Sequence, residues 1–328
     1  DSIWSEEKRY RVPAPWDPYV EGTMEVIAHD SGLNYLGDTP RLSTKMKVRL
    51  RGNSSIGLDK HQYLIKTIDE TGDEHDTDVL RMGADSEWVL NISVLDKSLL
   101  RNYVALNTAG SIMPYTPDVR YCEVLMREGA EYEYLGVYLM MENVKRGDHR
   151  VGINRYDKHD AVVSYLLRRD RYDETAVLLD TFGRETSRTP GFLEVRSPNK
   201  SQITDEHLAQ ITKEVDAMER ALFADNPEEY YRYRDYLDQR SFVDYFIVNE
   251  FFGNYDAGIN STYFYKLKGG LLCAGPVWDF DQCMDNYSYH GANTASTAMH
   301  DAPWFRQLLR DRTFVDAVVK RYHQLRRS

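Results

Sequence analysis

Alternating polar and apolar positions dominate the first half of the chain. Between residues 45 and 50, Met46, Val48 and Leu50 fall on every second position and would share one face of a strand. Similar patterns predict strands at 62–68, 88–92, 121–126 and 134–141, and leave 160–179 and 191–196 open to strand structure. Residues 128–131 are typical of a tight turn and predict a hairpin between two of these strands.

Helical periodicity becomes dominant in the second half. Thr204 is a good N-cap for a helix whose apolar positions recur at spacings of three and four, at Leu208, Ile211, Val215, Met218 and Leu222. Residues 238–252 predict a buried helix, and 304–325 predict two helices broken near Asp311.

One helix is expected earlier in the chain, with Asp96 as its N-cap. Its apolar face would consist of Leu99, Leu100, Tyr103, Val104 and Leu106. Together, the patterns predict an α+β fold with two lobes: a sheet-rich part at 1–144 and a helix-rich part at 145–328.

Composition narrows the classes of function. Of 328 residues, 42% are hydrophobic, which is enough for a large core, and the net charge of −11 argues against binding to nucleic acid. No apolar run approaches the roughly 18 residues that a membrane span needs. The three cysteines form no CxxC pair, so a structural zinc site is not expected.

A donor-rich turn follows the first clear strand. Gly52, Asn53, Ser54 and Ser55 can direct backbone N–H groups at an anion. Positive charge would come from Arg51, Lys60 and Lys66. An ordinary turn between two strands would show the same residues, and the chain has no GxxxxGK[ST] phosphate-binding loop.

A second group of polar residues follows the buried helix, in the segment NYDAGIN. Asp256 and Asn260 lie four positions apart, as an aspartate that orients a hydroxyl and an asparagine that holds Mg²⁺ lie near each other in kinase catalytic loops. The spacing is one residue shorter than in HRDxxxxN, and the His-Arg pair is absent. An Asx-rich turn that ends the helix is the alternative.

A third group is the segment PVWDFD, which carries Asp279 and Asp281. On an extended segment, side chains two positions apart share a face, so the two carboxylates would meet. Paired carboxylates repel unless a cation lies between them, and Mg²⁺ prefers such oxygen ligands. A strand end that caps a following helix would also explain the pair.

The strand end MMENV is a fourth candidate. In kinase-like folds the segment that joins the lobes offers backbone groups to the adenine edge, and Met141, Glu142 and Val144 lie in a matching place. An ordinary strand end is an equal alternative.

In this order and spacing, the segments resemble the CotH (spore coat protein H) kinase family over roughly residues 45–325. The resemblance rests on RGNSS with the two downstream lysines, LLRNYVALN, GVYLMMENV, YFIVNEFFGNYDAGIN, GPVWDFD and WFRQLLRD. It implies an atypical protein-kinase-like fold that binds ATP with Mg²⁺ or Mn²⁺ and phosphorylates Ser or Thr of a protein substrate.

The resemblance also implies roles for individual residues. Asp256 would be the catalytic aspartate and Asp279 the metal-binding one, with Asn260 and Asp281 as accessory metal ligands. Lys66 or Lys60 would neutralise the phosphates. The remaining expected nucleotide contacts are Arg51, Asn53, Ser54, Ser55, Met141, Glu142 and Val144. Family precedent and the start at Asp1 favour an extracytoplasmic, cell-surface or spore-coat location.

Three other functions stay open from the sequence alone. The chain could be a non-catalytic pseudokinase or interaction module, or a kinase-fold enzyme that transfers AMP. The third is a metal-dependent hydrolase built on Asp256, Asp279 and Asp281. That enzyme would need a base, and His290 and His300 are the candidates.

Overall fold

The computed structural model describes residues 18–30, 32–52, 54–286 and 297–327. It confirms the α+β class, with sheets and helices in one chain. Contacts divide the chain into two units: one comprises 1–99 and 118–143, and the other comprises 100–117 and 144–328. The sequence had suggested one boundary at 144, whereas 100–117 and Val144 belong to the second unit.

The first unit contains a six-stranded antiparallel sheet with the order β1-β2-β3-β6-β8-β7. Its strands and the small β4-β5 pair are β1 Val20–Val26, β2 Leu42–Arg51, β3 Gln62–Ile68, β4 Thr77–Asp78, β5 Ala84–Asp85, β6 Glu87–Asn91, β7 Val119–Glu128 and β8 Glu131–Glu142. The strands predicted from alternation are all present, and β7 and β8 form the predicted hairpin.

One face of this sheet carries the core of the first unit. Leu50, Tyr63, Trp88 and Met140 are buried there, and Met46 and Val48 pack against them, as the alternation predicted. Because side chains alternate along a strand, the intervening residues of β2 and β3 point to the opposite face. That face carries basic side chains, Arg49, Arg51 and Lys66 among them.

The second unit combines a four-stranded antiparallel sheet of order β10-β9-β11-β12 with helices. Its elements are α1 Arg101–Gly110, β9 Tyr165–Asp170, α2 Phe182–Glu185, β10 Phe192–Ser197, α3 Asp205–Leu222, α4 Pro227–Tyr230, α5 Gln239–Phe252, β11 Thr262–Lys266, β12 Leu272–Ala274, α6 Pro303–Leu308 and α7 Arg312–Leu325. Of the open segment 160–179, only β9 is a regular strand.

Helix α5 is the centre of the second unit. It is apolar around most of its circumference, and Phe242, Tyr245 and Val248 are almost fully buried, as expected for a helix surrounded by other elements. The Phe305 ring of α6 lies 5.6 Å from both the Phe242 and Tyr245 rings. No helix among the described residues is both long and apolar enough to cross a membrane.

The helix starts expected at Thr204, Asp238 and Asp311 are confirmed. Thr204, Asp238 and Asp311 accept hydrogen bonds from backbone N–H groups in the first turns of α3, α5 and α7.

The prediction for Asp96 was wrong. Its carboxylate accepts instead from the backbone and hydroxyl of Ser98, and α1 begins only at Arg101. Of the predicted apolar face, Leu106 is buried, but Leu99 and Leu100 precede the helix and are exposed, and Asn102, which was not predicted, is buried as well.

Candidate active site

The loop that carries Asp256 is shaped by the end of helix α5. Gly253 ends the helix in the left-handed conformation (φ 64°), which glycine adopts without strain. The fully buried Asn249 accepts a hydrogen bond at Oδ1 from the Asn254 side-chain amide (3.0 Å) and donates to the Tyr245 carbonyl (2.9 Å). These contacts set the direction in which the chain leaves the helix.

Residues 256–260 form a tight turn. The Asn260 N–H donates to the Asp256 carbonyl (2.8 Å), and the Asn260 side-chain amide donates to Oδ1 of Asp256 (3.3 Å). Gly258 has φ 81°, and a Cβ there would lie only 2.5 Å from the Cβ of Ala302, so no larger residue fits without movement. The spacing in the sequence therefore corresponds to a direct contact between Asp256 and Asn260.

Asp279 is joined to the same loop through Ser261, the residue after Asn260. The Ser261 hydroxyl donates to Oδ2 of Asp279 (3.1 Å). Both residues have positive φ, 48° for Ser261 and 65° for Asp279, a conformation that is uncommon outside glycine. Since Asn260 contacts Asp256 and Ser261 contacts Asp279, the two aspartates singled out from the sequence lie at one site.

The expected face shared by Asp279 and Asp281 is not formed as predicted. The reasoning required an extended segment, but the left-handed backbone at Asp279 interrupts any regular strand. Asp281 begins a turn instead, and its backbone carbonyl accepts from the Asn286 side-chain amide (2.7 Å). Asp281 is thus near Asp279 in the chain without the regular i, i+2 geometry.

Helix α1 anchors the segment that carries Asp279. The buried side chain of Asn102 accepts at Oδ1 from the Phe280 N–H (2.8 Å). Arg101 donates from Nε to the Cys283 carbonyl (2.9 Å) and from Nη2 to the Met284 carbonyl (3.3 Å). The Arg-Asn pair in LLRNYVALN therefore fixes the backbone on both sides of Asp281.

The oxygen donors at this site suit a hard divalent cation. Asp256, Asn260, Asp279 and Asp281 are all partly exposed. No cluster of three or more His, Cys, Asp or Glu side chains is arranged for a metal within residues 18–30, 32–52, 54–286 and 297–327. Mg²⁺ needs no such cluster when phosphates and waters complete its coordination, so the residues fit that ion.

The same finding weighs against the hydrolase, which required three clustered carboxylates. Of its two candidate bases, His290 lies outside the described residues. His300 contacts the Phe246 ring at 6.5 Å between centroids.

The nucleotide-binding residues expected in the first unit do not all lie on the same face of its sheet. Arg51, Lys66 and Met141 lie on the basic face of the sheet, because Arg51 pairs with Gln62, Lys66 with Glu87, and Met141 with Val89. Arg49 shares this face, and its guanidinium lies 4.6 Å from the centroid of the Tyr19 ring. A strip of basic side chains therefore crosses β2 and β3.

Lys66 is held by two carboxylates. It forms a short contact with Glu74 and a 3.2 Å ion pair with Glu87. Burial alone would lower the pKa of Lys66, but these two carboxylates raise it above its ordinary value. The ammonium group is therefore charged at neutral pH and fixed in position.

Lys60 occupies a different environment. Its Nζ donates to the Val137 carbonyl (2.6 Å) and lies 4.2 Å from the centroid of the Tyr138 ring, which belongs to the core face. Burial lowers the pKa of Lys60. The structure thus separates the two lysines that the sequence could not distinguish.

The turn after β2 requires glycine at its first position. Gly52 has φ 125°, and a Cβ there would lie 2.2 Å from Oγ of Ser55. That Oγ accepts from the Gln62 side-chain amide (3.3 Å), and a short 3-10 helix, Ser54–Gly57, follows. Asn53 lies outside the described residues.

The strand end expected to contact adenine is largely buried and makes its contacts within the fold. Met141 is buried and pairs with both Val89 and Val119. Glu142 lies on the core face, where its N–H donates to the Asp118 carbonyl (3.1 Å) and its carboxylate accepts from the Asp118 N–H (2.9 Å). Val144 is buried in the second unit.

Sequence reasoning missed Asn102 and Ser261 as parts of the site. Ser261 directly follows Asn260, and a polar residue beside a candidate ligand is the only local signal it offers. Asn102 lies among apolar residues of a helix, and the sequence alone does not show that its side chain is on the buried side.

Comparison with known families gives one match. A family model described as CotH kinase protein matches residues 48–328, which is most of the chain. No curated protein matches this sequence.

Proposed function

The chain belongs to the CotH kinase protein family, and we propose that it is an ATP- and Mg²⁺-dependent kinase that transfers the γ-phosphate of ATP to Ser or Thr of a protein. The observation that carries the proposal is the pair of hydrogen bonds from consecutive residues, Asn260 to Asp256 and Ser261 to Asp279. It supports one site with two carboxylates in different surroundings, as phosphoryl transfer needs an acceptor-orienting group and a cation-binding group.

Each aspartate has a distinct role in this proposal. Asp256 aligns the acceptor hydroxyl and takes its proton as the bond from its oxygen to the γ-phosphorus forms and the bond to the β–γ bridging oxygen breaks, with ADP as the leaving group. Asp279 holds the cation, with Asn260 and Asp281 as further oxygen donors. When bound, the divalent ion offsets the charge on the phosphate oxygens. The protein contributes positioning and fixed charge, since little covalent chemistry is asked of it.

Nucleotide binding is assigned to the basic face of the first unit. Lys66 would contact the phosphates rather than Lys60, because its charge is held on the same face as Arg51, while Lys60 is bound to the Val137 carbonyl. The turn at Gly52, Ser54 and Ser55 would add backbone donors. We extend the set to Arg49, which shares this face.

The test is transfer of labelled γ-phosphate from ATP, with Mg²⁺ or Mn²⁺, to the protein itself and to a generic basic acceptor. Asp256→Ala and Asp279→Ala should each lower transfer by about 10²–10⁴-fold, since each removes a group that acts on the reacting atoms. Asp316→Ala, at an exposed ion pair with Arg312, serves as the matched control and should transfer as the wild type does.

ATP binding is measured in parallel, with and without metal. Metal-dependent binding with no transfer of phosphate to any acceptor would contradict the kinase proposal and favour a pseudokinase. An added AMP in the mass spectrum of the product would favour the transfer of a nucleotidyl group. No ATP binding at all would remove the nucleotide from the proposal.

The substrate and the place of action remain proposals drawn from the family. We propose a Ser-containing coat or surface protein as the substrate, and an extracytoplasmic location. Detection of the labelled phosphate on such a protein in extracts of the source cell would support both.

A further inference from the structure

A groove of about 380 Å³ in the second unit brings together three arginines from two segments of the chain. Arg188 follows α2, Arg306 lies on α6, and Arg310 follows α6. The carboxylates of Asp225 and Asp301 also border the groove. The walls are therefore strongly polar, and cationic groups outnumber anionic ones in a chain whose net charge is −11.

The Arg188 guanidinium is held in place by aromatic and backbone groups. It lies 5.2 Å from the centroid of the Phe182 ring and 5.8 Å from that of Phe223. Its Nη1 donates to the Phe223 carbonyl (3.3 Å). None of these contacts neutralises its charge, because a carbonyl and two rings carry no net charge.

Arg310 is held in the same manner. It lies 4.5 Å from the centroid of the Tyr230 ring, and it donates to the Ala224 carbonyl (3.1 Å) and to Oε1 of Gln307 (2.8 Å). Each guanidinium has five N–H donors, so these bonds leave donors for a ligand. Arg306 is exposed and forms no side-chain hydrogen bond with the described residues.

Some other arginines of this unit, by contrast, pair with carboxylates. Arg234 pairs with Asp311 at 2.5 Å, and Arg321 pairs with Asp244 at 2.7 Å. Within the described part of the chain, the three arginines of the groove form no ion pair. Guanidinium groups that line one groove without an ion-pair partner can bind phosphate, and two of these three are held in place by aromatic rings and carbonyls.

The groove also adjoins the catalytic loop. Its walls include Pro190 and Pro303, each next in sequence to a residue that touches the loop. A Cβ on Gly191 would lie 3.0 Å from the Ile259 carbonyl, and the Ala302 methyl group occupies the space where a Gly258 side chain would be. A peptide that leaves Asp256 therefore has the groove close by.

We propose that this groove binds a phosphorylated Ser or Thr of the protein substrate, flanked by Lys or Arg. The three guanidinium groups would bind the phosphate, and the carboxylates of Asp225 and Asp301 would favour basic neighbours. This rests on the proposed kinase function and adds a substrate class to it. A segment phosphorylated once would be retained, so that a nearby Ser reaches the active site next.

Binding is tested without ATP, by fluorescence anisotropy of a Lys-flanked phosphoserine peptide and its unphosphorylated twin. The wild type should bind the phosphopeptide at least about tenfold more tightly than the twin, because hydrogen bonds between charged groups are strong. The combined Arg188→Gln, Arg306→Gln and Arg310→Gln variant should lose that difference. Arg306→Gln alone should lose part of it, without risk to the fold, since Arg306 holds no other group.

Arg312→Gln is the matched control, because its side chain is 87% exposed and lies outside the groove. Equal affinity for the two peptides, or phosphopeptide binding that survives in the triple variant, would overturn the proposal. So would inorganic phosphate that binds as tightly as the phosphopeptide, since the groove would then be a simple anion site.

Asp256→Ala separates this proposal from the kinase proposal. That variant should bind the phosphopeptide like the wild type, since no chemistry is involved. Phosphopeptide binding in a protein that never transfers phosphate would leave the groove valid and the kinase function refuted.

Discussion

At the scale of single residues, the site depends on two side chains that no reacting group would touch. Ser261 and Asn102 fix Asp279 and the Phe280 N–H, respectively. Positive φ at both Ser261 and Asp279 is a strained conformation, which persists in proteins where the surroundings enforce it and which concentrates at functional sites. The strain and the hydrogen bond together set the direction of the Asp279 carboxylate.

Substitution of Ser261 by glycine distinguishes the effect of its hydroxyl group from the effect of its backbone conformation. Ser261→Gly removes the hydrogen bond but relieves the positive φ, so the free energy of unfolding should stay equal or rise by up to ~1 kcal/mol. The affinity for Mn²⁺, measured in the presence of ATP, should fall by about tenfold, because Asp279 loses its orienting donor.

Ser187→Gly is the control for this substitution. Ser187 also has positive φ (55°) and is exposed. It should gain stability to a similar degree with no change in Mn²⁺ affinity. Wild-type affinity in Ser261→Gly would show that the hydroxyl does not position Asp279.

At the scale of elements, the start of helix α7 is the most heavily bonded cap described. The Asp311 carboxylate accepts from the Tyr233 hydroxyl (2.6 Å), from Arg234 and from the Thr313 N–H (2.9 Å). Burial alone would raise the pKa of Asp311, but these hydrogen bonds hold it below its ordinary value. The cap therefore also ties α7 to the segment after α4.

Asp311→Asn keeps a good N-cap and removes the charge. We expect the free energy of unfolding at pH 7 to fall by about 1–3 kcal/mol, as when a charged hydrogen-bond partner is lost. In the wild type this contribution is fully present above the unfolded pKa of about 4 and is lost as the pH falls through the lower folded pKa. Urea unfolding at pH 7 and pH 3 should therefore show a smaller difference between variant and wild type at pH 3.

Asp316→Asn, at an exposed ion pair, should change stability by less than about 1 kcal/mol at either pH. A loss for Asp311→Asn that is independent of pH would contradict the role given to its charge.

The elements themselves were largely predictable from the sequence, because their periodicity reports which side faces a core. Strand β2 and helix α3 follow their apolar spacing closely. Helix α1 did not, since its inward face carries Asn102 and small alanines, which hydrophobic spacing does not detect. The prediction that Asp279 and Asp281 share a face failed for a related reason: positive φ at a non-glycine residue has no sequence signature.

The candidate site was predictable only in part. Asp256 and Asp279 stood out because their motifs are local. The contacts of Ser261 with Asp279 and of Asn102 with the Phe280 N–H link residues far apart in sequence, and the arginines of the groove also come from distant parts of the chain. Spacing along a sequence carries no information on such contacts.

At the scale of the whole molecule, charge is the property that a substrate meets first. A net charge of −11 attracts basic peptides from a distance and repels acidic ones, independently of any single contact. The basic strip on β2 and β3 and the arginine groove are local exceptions that act at contact distance.

Ionic strength should reveal this long-range effect. We expect kcat/KM for a Lys-flanked Ser peptide to exceed that for a Glu-flanked one, and the ratio to shrink as salt rises from low levels to about 0.5 M, where charges are screened within a few ångströms. Steady-state kinetics at several salt concentrations measure the ratio. A preference for the acidic peptide would refute the expectation.

The interleaving of the two units also determines an order of events during synthesis. The sheet of the first unit is complete only when β8 has been made, and helix α1 leaves the ribosome before that strand does. Yet α1 packs against α5, which is made only after the whole first unit. A nascent chain halted between residues 143 and 238 would therefore carry all strands of that sheet and a helix whose partner does not yet exist, a natural site for a chaperone to bind.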